Sequence, residues 1–164
     1  MALPALTLRP PGPGDEAEFR AAHEVMAREG IVFGLGLDGL DWPGYLRRLA
    51  EVEAGARLDG FVPATFLVAE AGGVIVGRTS IRHELNATLA VLGGHIGYCV
   101  LPARRGRGHA KEILRQSLPV ARARGVTRAL LTCDETNTAS QKVIEHCGGV
   151  LESSDGHNRR YWIG

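Results

Sequence analysis

Residues Val100 to Ala110 read VLPARRGRGHA, and this stretch decides the fold. An apolar strand ends at Val100 and Leu101. Pro102 and the pair Arg104–Arg105 turn the chain, and Gly106 and Gly108 lead into an amphipathic helix. Glycine at such a turn permits a positive φ or close approach of backbone to a ligand. A helix N-terminus presents unpaired N–H groups and a partial positive charge, which suit phosphate or pyrophosphate. Arg104, Arg105 and Arg107 add positive charge. A ligand with clustered anionic oxygens is therefore expected here.

Downstream of this turn, Ala110, Ile113, Leu114, Leu118 and Ala121 predict a helix over 108–123. Pro119 should bend or shorten its last turns, and Gly125 should cap it. RALLTCD, Arg128 to Asp134, reads as a fully buried central strand. A short helix over 138–147 follows, with Asn137 as its cap, Ser140 in its first turn and Gly148–Gly149 as its stop. Val150–Ser154 and Arg159–Ile163 read as a closing pair of strands around Asp155–Gly156.

Upstream, Thr65–Glu70, Val74–Glu84 and Gly94–Val100 form an expected antiparallel meander, with a turn at Ala71–Gly73 and a connector over 86–93. Gly77 marks a bulge or a bend. Leu3–Arg9 is a strand stopped by Pro10, Pro11, Gly12 and Pro13. Asp15 is the expected cap of a helix from Glu16 to about Glu29. A second helix starts at Asp41 or Trp42, with Tyr45, Leu46, Leu49 and Val52 on its apolar face. The glycine-rich stretch 30–39 reads as a mobile loop over a site. This order predicts one domain over 1–164, an α/β sandwich around a mixed, mostly antiparallel sheet. A dinucleotide fold would need its glycine loop after an early strand, not after a meander.

The chain has 164 residues, 45% of them apolar and 23% charged, with a formal charge of +1. That balance argues against nucleic acid as partner, so any basic function is local. Cys99, Cys133 and Cys147 are widely spaced and read as buried free thiols, with no metal site. No apolar run reaches the length of a membrane span, and the first residues lack a secretory pattern. A cytoplasmic location and no membrane partner are expected. With 22 glycines and only 5% aromatics, the core should be built mostly from Leu, Val, Ala and Ile.

The element order and two local patterns resemble the GCN-five-related N-acetyltransferases, the GNAT superfamily, in a subgroup of unassigned acceptor. That family's acyl-CoA signature is Gln or Arg, two residues, Gly, one residue, then Gly or Ala. Arg105, Gly108 and Ala110 fill it. The run NTASQKVIEHCGG, Asn137 to Gly149, resembles the asparagine-led helix beside the cofactor thiol. The resemblance implies a splayed pair of strands that binds the cofactor. It also implies acetyl transfer from acetyl-CoA by direct attack of a primary amine, on a small molecule or a protein. A homodimer is a mild expectation from the same likeness.

By the resemblance, backbone N–H groups from Arg105 to Ala110, including those of Gly106, Arg107, Gly108 and His109, hold the coenzyme pyrophosphate. Arg104 and Arg107 are candidates for side-chain contacts to phosphate. Cys99, Val100 and Leu101 offer backbone groups to the pantetheine arm, and Asn137 and Ser140 lie beside it. An attacking amine must be neutral, whereas a lysine-like ammonium has a pKa of about 10.4. A base is thus expected, with His95, Glu84 and His83 as candidates, and since His83 and Glu84 alternate faces at most one of the two points at a given cleft. The family's thiolate-protonating tyrosine falls at Ile144 here, a departure. Tyr98 is the named substitute, with Ser140 as another. The departure leaves a second reading, a non-catalytic acyl-CoA sensor. Asp134 and Glu135 either face the acceptor or cap a turn. Arg82 and Asn86 are candidates for a carboxylate or polar acceptor.

Overall fold

The computed structural model describes residues 2–164. Its elements run β1 Leu6–Arg9, α1 Glu16–Ala27, α2 Trp42–Glu53, β2 Ala64–Ala71, β3 Val74–Arg82, α3 Ala87–Val91 and β4 Ile96–Val100. They continue with α4 His109–Ala123, β5 Ala129–Asp134, α5 Thr138–His146, β6 Val150–Ser154 and β7 Asn158–Ile163. The strands form two sheets, β1-β2-β3-β4 and β5-β7-β6, and every strand pair within them is antiparallel. The expected α/β sandwich is present, with its sheet divided between β4 and β5.

Alternation along the strands sorts the core into two faces. Leu67, Ile81 and Ile96 turn toward α4 and meet Leu114, Leu131 and Ile144. Phe66 and Val68 turn the other way, toward α1 and α2. That second face departs from the composition-based expectation. Five of the nine aromatics are gathered there, with the Phe19 ring 5.0–5.9 Å from those of Phe33, Trp42, Tyr45 and Phe66. Phe33 and Leu37 are buried in this cluster, so the glycine-rich loop is packed down. Arg78 fastens it further, donating to the carbonyls of Val32 at 2.7 Å and Phe33 at 3.1 Å. The segment is anchored to the core while Leu35 and Gly36 border a cavity.

Several local expectations change for identifiable reasons. Asp15 does not cap α1 with its side chain. Its carboxylate instead accepts from Arg9 at 2.6 and 2.9 Å and from the Gly12 N–H at 2.7 Å. Residues 87–91 are helical, because the Asn86 side chain accepts from the Leu89 N–H at 2.8 Å and caps the turn. Helix α4 continues past Pro119 to Ala123. Pro119 and Arg115 are both exposed, so the carbonyl that proline leaves unpaired faces water. Ile113, Leu114, Ser117 and Ala121 anchor the opposite face. Gly125, at φ 88°, closes the helix in a Schellman turn, with Val126 N–H bonded to Ala121 O and Gly125 N–H to Arg122 O.

The β2–β3 ladder shifts register between Ala69 and Glu70, which face Gly77 and Ile75, so Val76 is the extra residue of a bulge beside Gly77. Gly77 itself is required by β4. A Cβ there would lie 2.3 Å from the Cys99 carbonyl oxygen, a backbone atom that cannot step aside cheaply. Gly77→Ala is expected to cost about 1–3 kcal/mol and lower Tm by roughly 3–10 °C. An unchanged melting curve would show that the two strands have slack. The Arg9 hydrogen bond, backed by the Gly12 N–H, holds the Asp15 carboxyl below the ordinary carboxylate value. Its contribution is present above about pH 4 and is lost as pH falls through the depressed folded-state value. Melting temperatures from about pH 6 to 2 should thus fall less steeply for Asp15→Asn than for the parent below about pH 4.

Candidate functional site

The loop between β4 and α4 has the geometry that its glycines require. Residues 102–104 form a single 3-10 turn, Gly106 and Gly108 sit at φ 75° and 84°, and Gly108 is the N-cap of α4. Glu112 N–H is the first to bond within this start, to Gly108 O at 3.2 Å. The N–H groups from Gly106 through Lys111 donate to no group of the described residues. A run of adjacent, outward-facing amides at the positive end of a helix is an anion site by construction. A side chain in place of either glycine would meet nothing within 4 Å, so open space surrounds both.

The arginines of the loop divide by role. Arg105 turns back onto the protein, donating to Val100 O at 3.1 Å and pairing with Glu29 at 2.8 Å. Its side chain therefore ties β4 to the end of α1. Arg104 and Arg107 make no ion pair among the described residues and are available to phosphate. His109 is buried, and its imidazole is pushed down by burial and by Arg107 and Arg104.

Beyond this loop the two sheets part. Their backbones meet where His95 N–H donates to Leu130 O at 2.7 Å and Gly94 bridges Leu131. No ladder joins β4 to β5 beyond that point. In an antiparallel pair, alternate residues turn their peptide groups toward the partner. The bonds Arg82 N–H to His95 O and Leu101 N–H to Val76 O fix the phase. Cys99 and Leu101 thus aim their peptide groups at β3, while Tyr98 and Val100 aim theirs into the opening. Of the three backbone positions expected to serve the cofactor arm, only Val100 has this orientation. Tyr98, expected as a proton donor, shares it.

Tyr98 also spans the opening with its side chain, its hydroxyl 2.8 Å from Ser140 Oγ on α5. Burial pushes that phenol up to about 12, so it stays protonated. Asn137 caps α5 as expected, accepting from Ser140 N–H at 3.0 Å. Two sequence-predicted positions far apart in the chain, Tyr98 and Ser140, are therefore in direct contact. Ile144 is fully buried and offers no polar atom.

His95 is placed otherwise than a base requires. Its ring is buried, and Nδ1 accepts from the Leu130 N–H at 2.9 Å. The neutral ring then carries its proton on Nε2, leaving no free lone pair. Burial, with Arg82 behind it, pushes the imidazole further below its ordinary value. His95 joins the sheets. Glu84 is exposed at the end of β3 and makes no hydrogen bond to the described residues. Asp134 caps its own turn through Thr136, and Glu135 is held by Arg159 and Ser154. Neither is turned toward an acceptor. Cys133 is buried, whereas Cys99 and Cys147 are only partly so; all three are free.

On the α1/α2 face of the sheet lies a cavity of about 290 Å³ between the loop at Leu35–Gly36, α2, Phe61 and the start of α3. Its floor includes Ser80 and Arg82 of β3, directly opposite Gly97 of β4 and His95 just before that strand. The sequence pattern places Arg78, Ser80 and Arg82 on this face, since they alternate along β3. Reading that alternation would have singled out Arg78, which was overlooked. Among the described residues, no helix is long and apolar enough to cross a membrane.

Comparison with known proteins agrees with this geometry. A family model described as Acetyltransferase (GNAT) domain matches residues 5–150. A mycothiol acetyltransferase of Thermobispora bispora is 31% identical over 102 residues, 61% of this chain and 35% of that protein. The chain thus spans about a third of the length of this curated relative. Mycobacterium smegmatis RimJ, solved in complex with CoA-disulfide, superposes with a TM-score of 0.68 at 24% identity, covering 96% of this chain and 81% of that one. Spermidine N-acetyltransferase of Vibrio cholerae, solved with CoA and spermine, gives 0.65 at 18% identity over 96% and 94%. With the divided sheet and the amide-lined loop already in place, the family match settles the assignment: the chain belongs to the GNAT acetyltransferase domain family.

Proposed function

We propose that the protein transfers an acetyl group from acetyl-CoA to a primary amine by direct attack. The observation that carries this reading is the unbroken run of free amides from Gly106 through Lys111, set beside the opening between β4 and β5. Acetyl-CoA supplies the acetyl group as a thioester, and its diphosphate matches the amides in charge and spacing. Arg104 and Arg107 add cations at the rim. The peptide group of Tyr98 and the N–H of Val100 are the ones aligned to hold an extended amide-bearing arm, the Val100 carbonyl being held by Arg105. RimJ of Mycobacterium smegmatis, bound to a CoA-disulfide, supports the same ligand class.

In the transfer an N–C bond forms to the amine and the thioester C–S bond breaks. The amine proton leaves to solvent, and the departing sulfur regains one. The Tyr98–Ser140 hydroxyl pair is the nearest protonated donor set to that side of the opening. A thiolate is a good leaving group near neutral pH, so hydrogen bonding from a phenol that stays protonated suffices. With His95 committed to Leu130, the amine loses its proton to water. The cations of buried Arg78 and half-buried Arg82 favour the neutral amine, since like charge disfavours the ammonium. Loss of the usual tyrosine at Ile144 favours a second reading, in which the domain binds acyl-CoA without turnover.

Titration with acetyl-CoA should show saturable binding, weakened about a hundredfold or more by Gly108→Trp in a variant that melts normally. Unchanged affinity would remove the loop from its assigned role. Thiol release across an amine panel separates transfer from sensing, which predicts binding and no release. The pH profile of kcat/KM should rise toward the acceptor amine's own pKa with no inflection at or below about 6.5, the region where a His95 base would titrate. An inflection there that His95→Gln abolishes would restore the histidine to the mechanism.

A further inference from the structure

The cavity over β3 is lined by two guanidinium groups, Arg48 and Arg82, and by the polar side chains of Ser80 and Asn86. The rest of its wall is apolar, chiefly Leu35, Leu49, Val52, Phe61 and Phe66. Neither cation is fully satisfied by the protein, although Arg48 also lies 5.5 Å over the Phe61 ring. Arg82 forms no ion pair among the described residues, and only its Nη1 is engaged, in two long contacts of 3.3 Å to the carbonyls of Gly93 and Gly94. Nε and Nη2 have no protein partner. Burial and the neighbouring Arg78 push this guanidinium down to about 10, yet it remains charged near neutral pH. Arg48 donates to Leu58 O through Nη2, but its Nη1 is buried with no hydrogen-bond partner at all. Its acidic neighbour, Asp59, is largely exposed and 3.5 Å away.

Arg78, on the same strand and face, provides the contrast. It spends Nε, Nη1 and Nη2 on the carbonyls of Phe33, Gly97 and Val32 and is fully occupied as a brace. A bracing role therefore accounts for Arg78 and not for Arg82. Gly97 makes room for Arg82, because a Cβ there would lie 3.1 Å from its Nη1. The guanidinium thus lies across β4 at the edge of the opening where transfer is proposed. Half-buried cations with unused donors beside a cavity favour an anionic group, and a planar fork matches a carboxylate.

We propose that this cavity is the acceptor site and that the acceptor amine also carries a carboxylate, held by Arg82 with Arg48 on the far wall, on an apolar body. An amino acid with an apolar side chain has this chemistry. The proposal rests on the acetyl-transfer reading for its amine and on the cavity alone for its carboxylate.

The test uses matched probes, L-phenylalanine and L-phenylalaninamide, which differ in the anion and share the amine and ring. Thiol release from acetyl-CoA is measured for both, after the amine pKa difference is removed by comparing rates per neutral amine. Calorimetric binding of each probe is measured without acetyl-CoA. The carboxylate is expected to win by at least about thirtyfold in kcat/KM and in affinity, and Arg82→Gln should bring both ratios toward one, with Arg82→Lys intermediate. Arg48→Gln serves as the second variant if Arg82→Gln does not fold, and it too should lower the ratios. A brace to Gly93 and Gly94 would alter rates for both probes alike and leave the ratios in place. Equal handling of the two probes by the parent protein, or ratios unmoved in the variants, overturns the proposal while leaving acetyl transfer intact. Failure of acetyl-CoA to bind would overturn acetyl transfer, and the calorimetric ratio would still decide the carboxylate.

Discussion

The join between the two sheets at His95 is the constraint on which the site depends. Two strands lying side by side would ordinarily zip along their length, because each unpaired peptide group near the core carries a desolvation cost. Here the zip stops after one turn of pairing. His95 donates its backbone N–H to Leu130 O and accepts the Leu130 N–H at its ring Nδ1, so a side chain takes the place of the next backbone acceptor. Gly94 sits at φ 65° where a Cβ would be 2.3 Å from Leu130 O, so the approach is as close as backbone permits. Beyond it, β4 follows β3 and the second sheet turns away. The peptide groups of Tyr98 and Val100 are left facing the gap.

That parting also fixes where charge lies. Arg78 and Arg82 extend across β4 on the α1/α2 face, over Gly97, because no second strand covers them there. Arg105 anchors the far end of β4 to Glu29 and Val100 O, which sets the direction in which α4 begins. The amides of the Gly106–Lys111 run are therefore presented by a rigid frame. Their positions are set by the core stripe Ile113, Leu114, Ser117 and Ala121, including the Ser117 hydroxyl bonded to Thr79 at 3.0 Å and Ile113 O at 2.7 Å.

Most of the architecture was legible because its signals are local. The Gly72–Gly73 hairpin, the Asn137 cap, the Gly125 and Gly148 helix stops and the apolar stripe of α4 each depend on a few adjacent residues. The glycine-arginine loop was readable for the same reason, since positive φ and unpaired amides are properties of one short segment. What escaped was set by distant partners. Nothing in the cap pattern at Asp15 reveals that Arg9 would draw its carboxylate off the helix, and nothing near Phe33 reveals the buried hold of Arg78. His95 looked like a base because nothing near it in the chain shows that the Leu130 N–H, thirty-odd residues along, occupies its ring acceptor. Alternation along β3 did contain the Arg78–Ser80–Arg82 face, but its meaning required the cavity above it.

The distribution of cations carries the last step. The chain is nearly neutral, with 19 Lys and Arg against 18 Asp and Glu, so an arginine deprived of a carboxylate is a local choice and not an excess of positive charge. Arg9, Arg20, Arg105, Arg115, Arg124, Arg159 and Arg160 each have an acidic partner within 3 Å. Water satisfies the exposed remainder. Arg78 is satisfied by three carbonyls. Arg82 is left half-shielded from water and short of acceptors, at the edge of the gap, where a fixed positive charge is most strongly felt. In the proposed transfer the field that disfavours an ammonium also attracts an anion attached to it, so one half-buried group would set both the protonation state and the orientation of the acceptor.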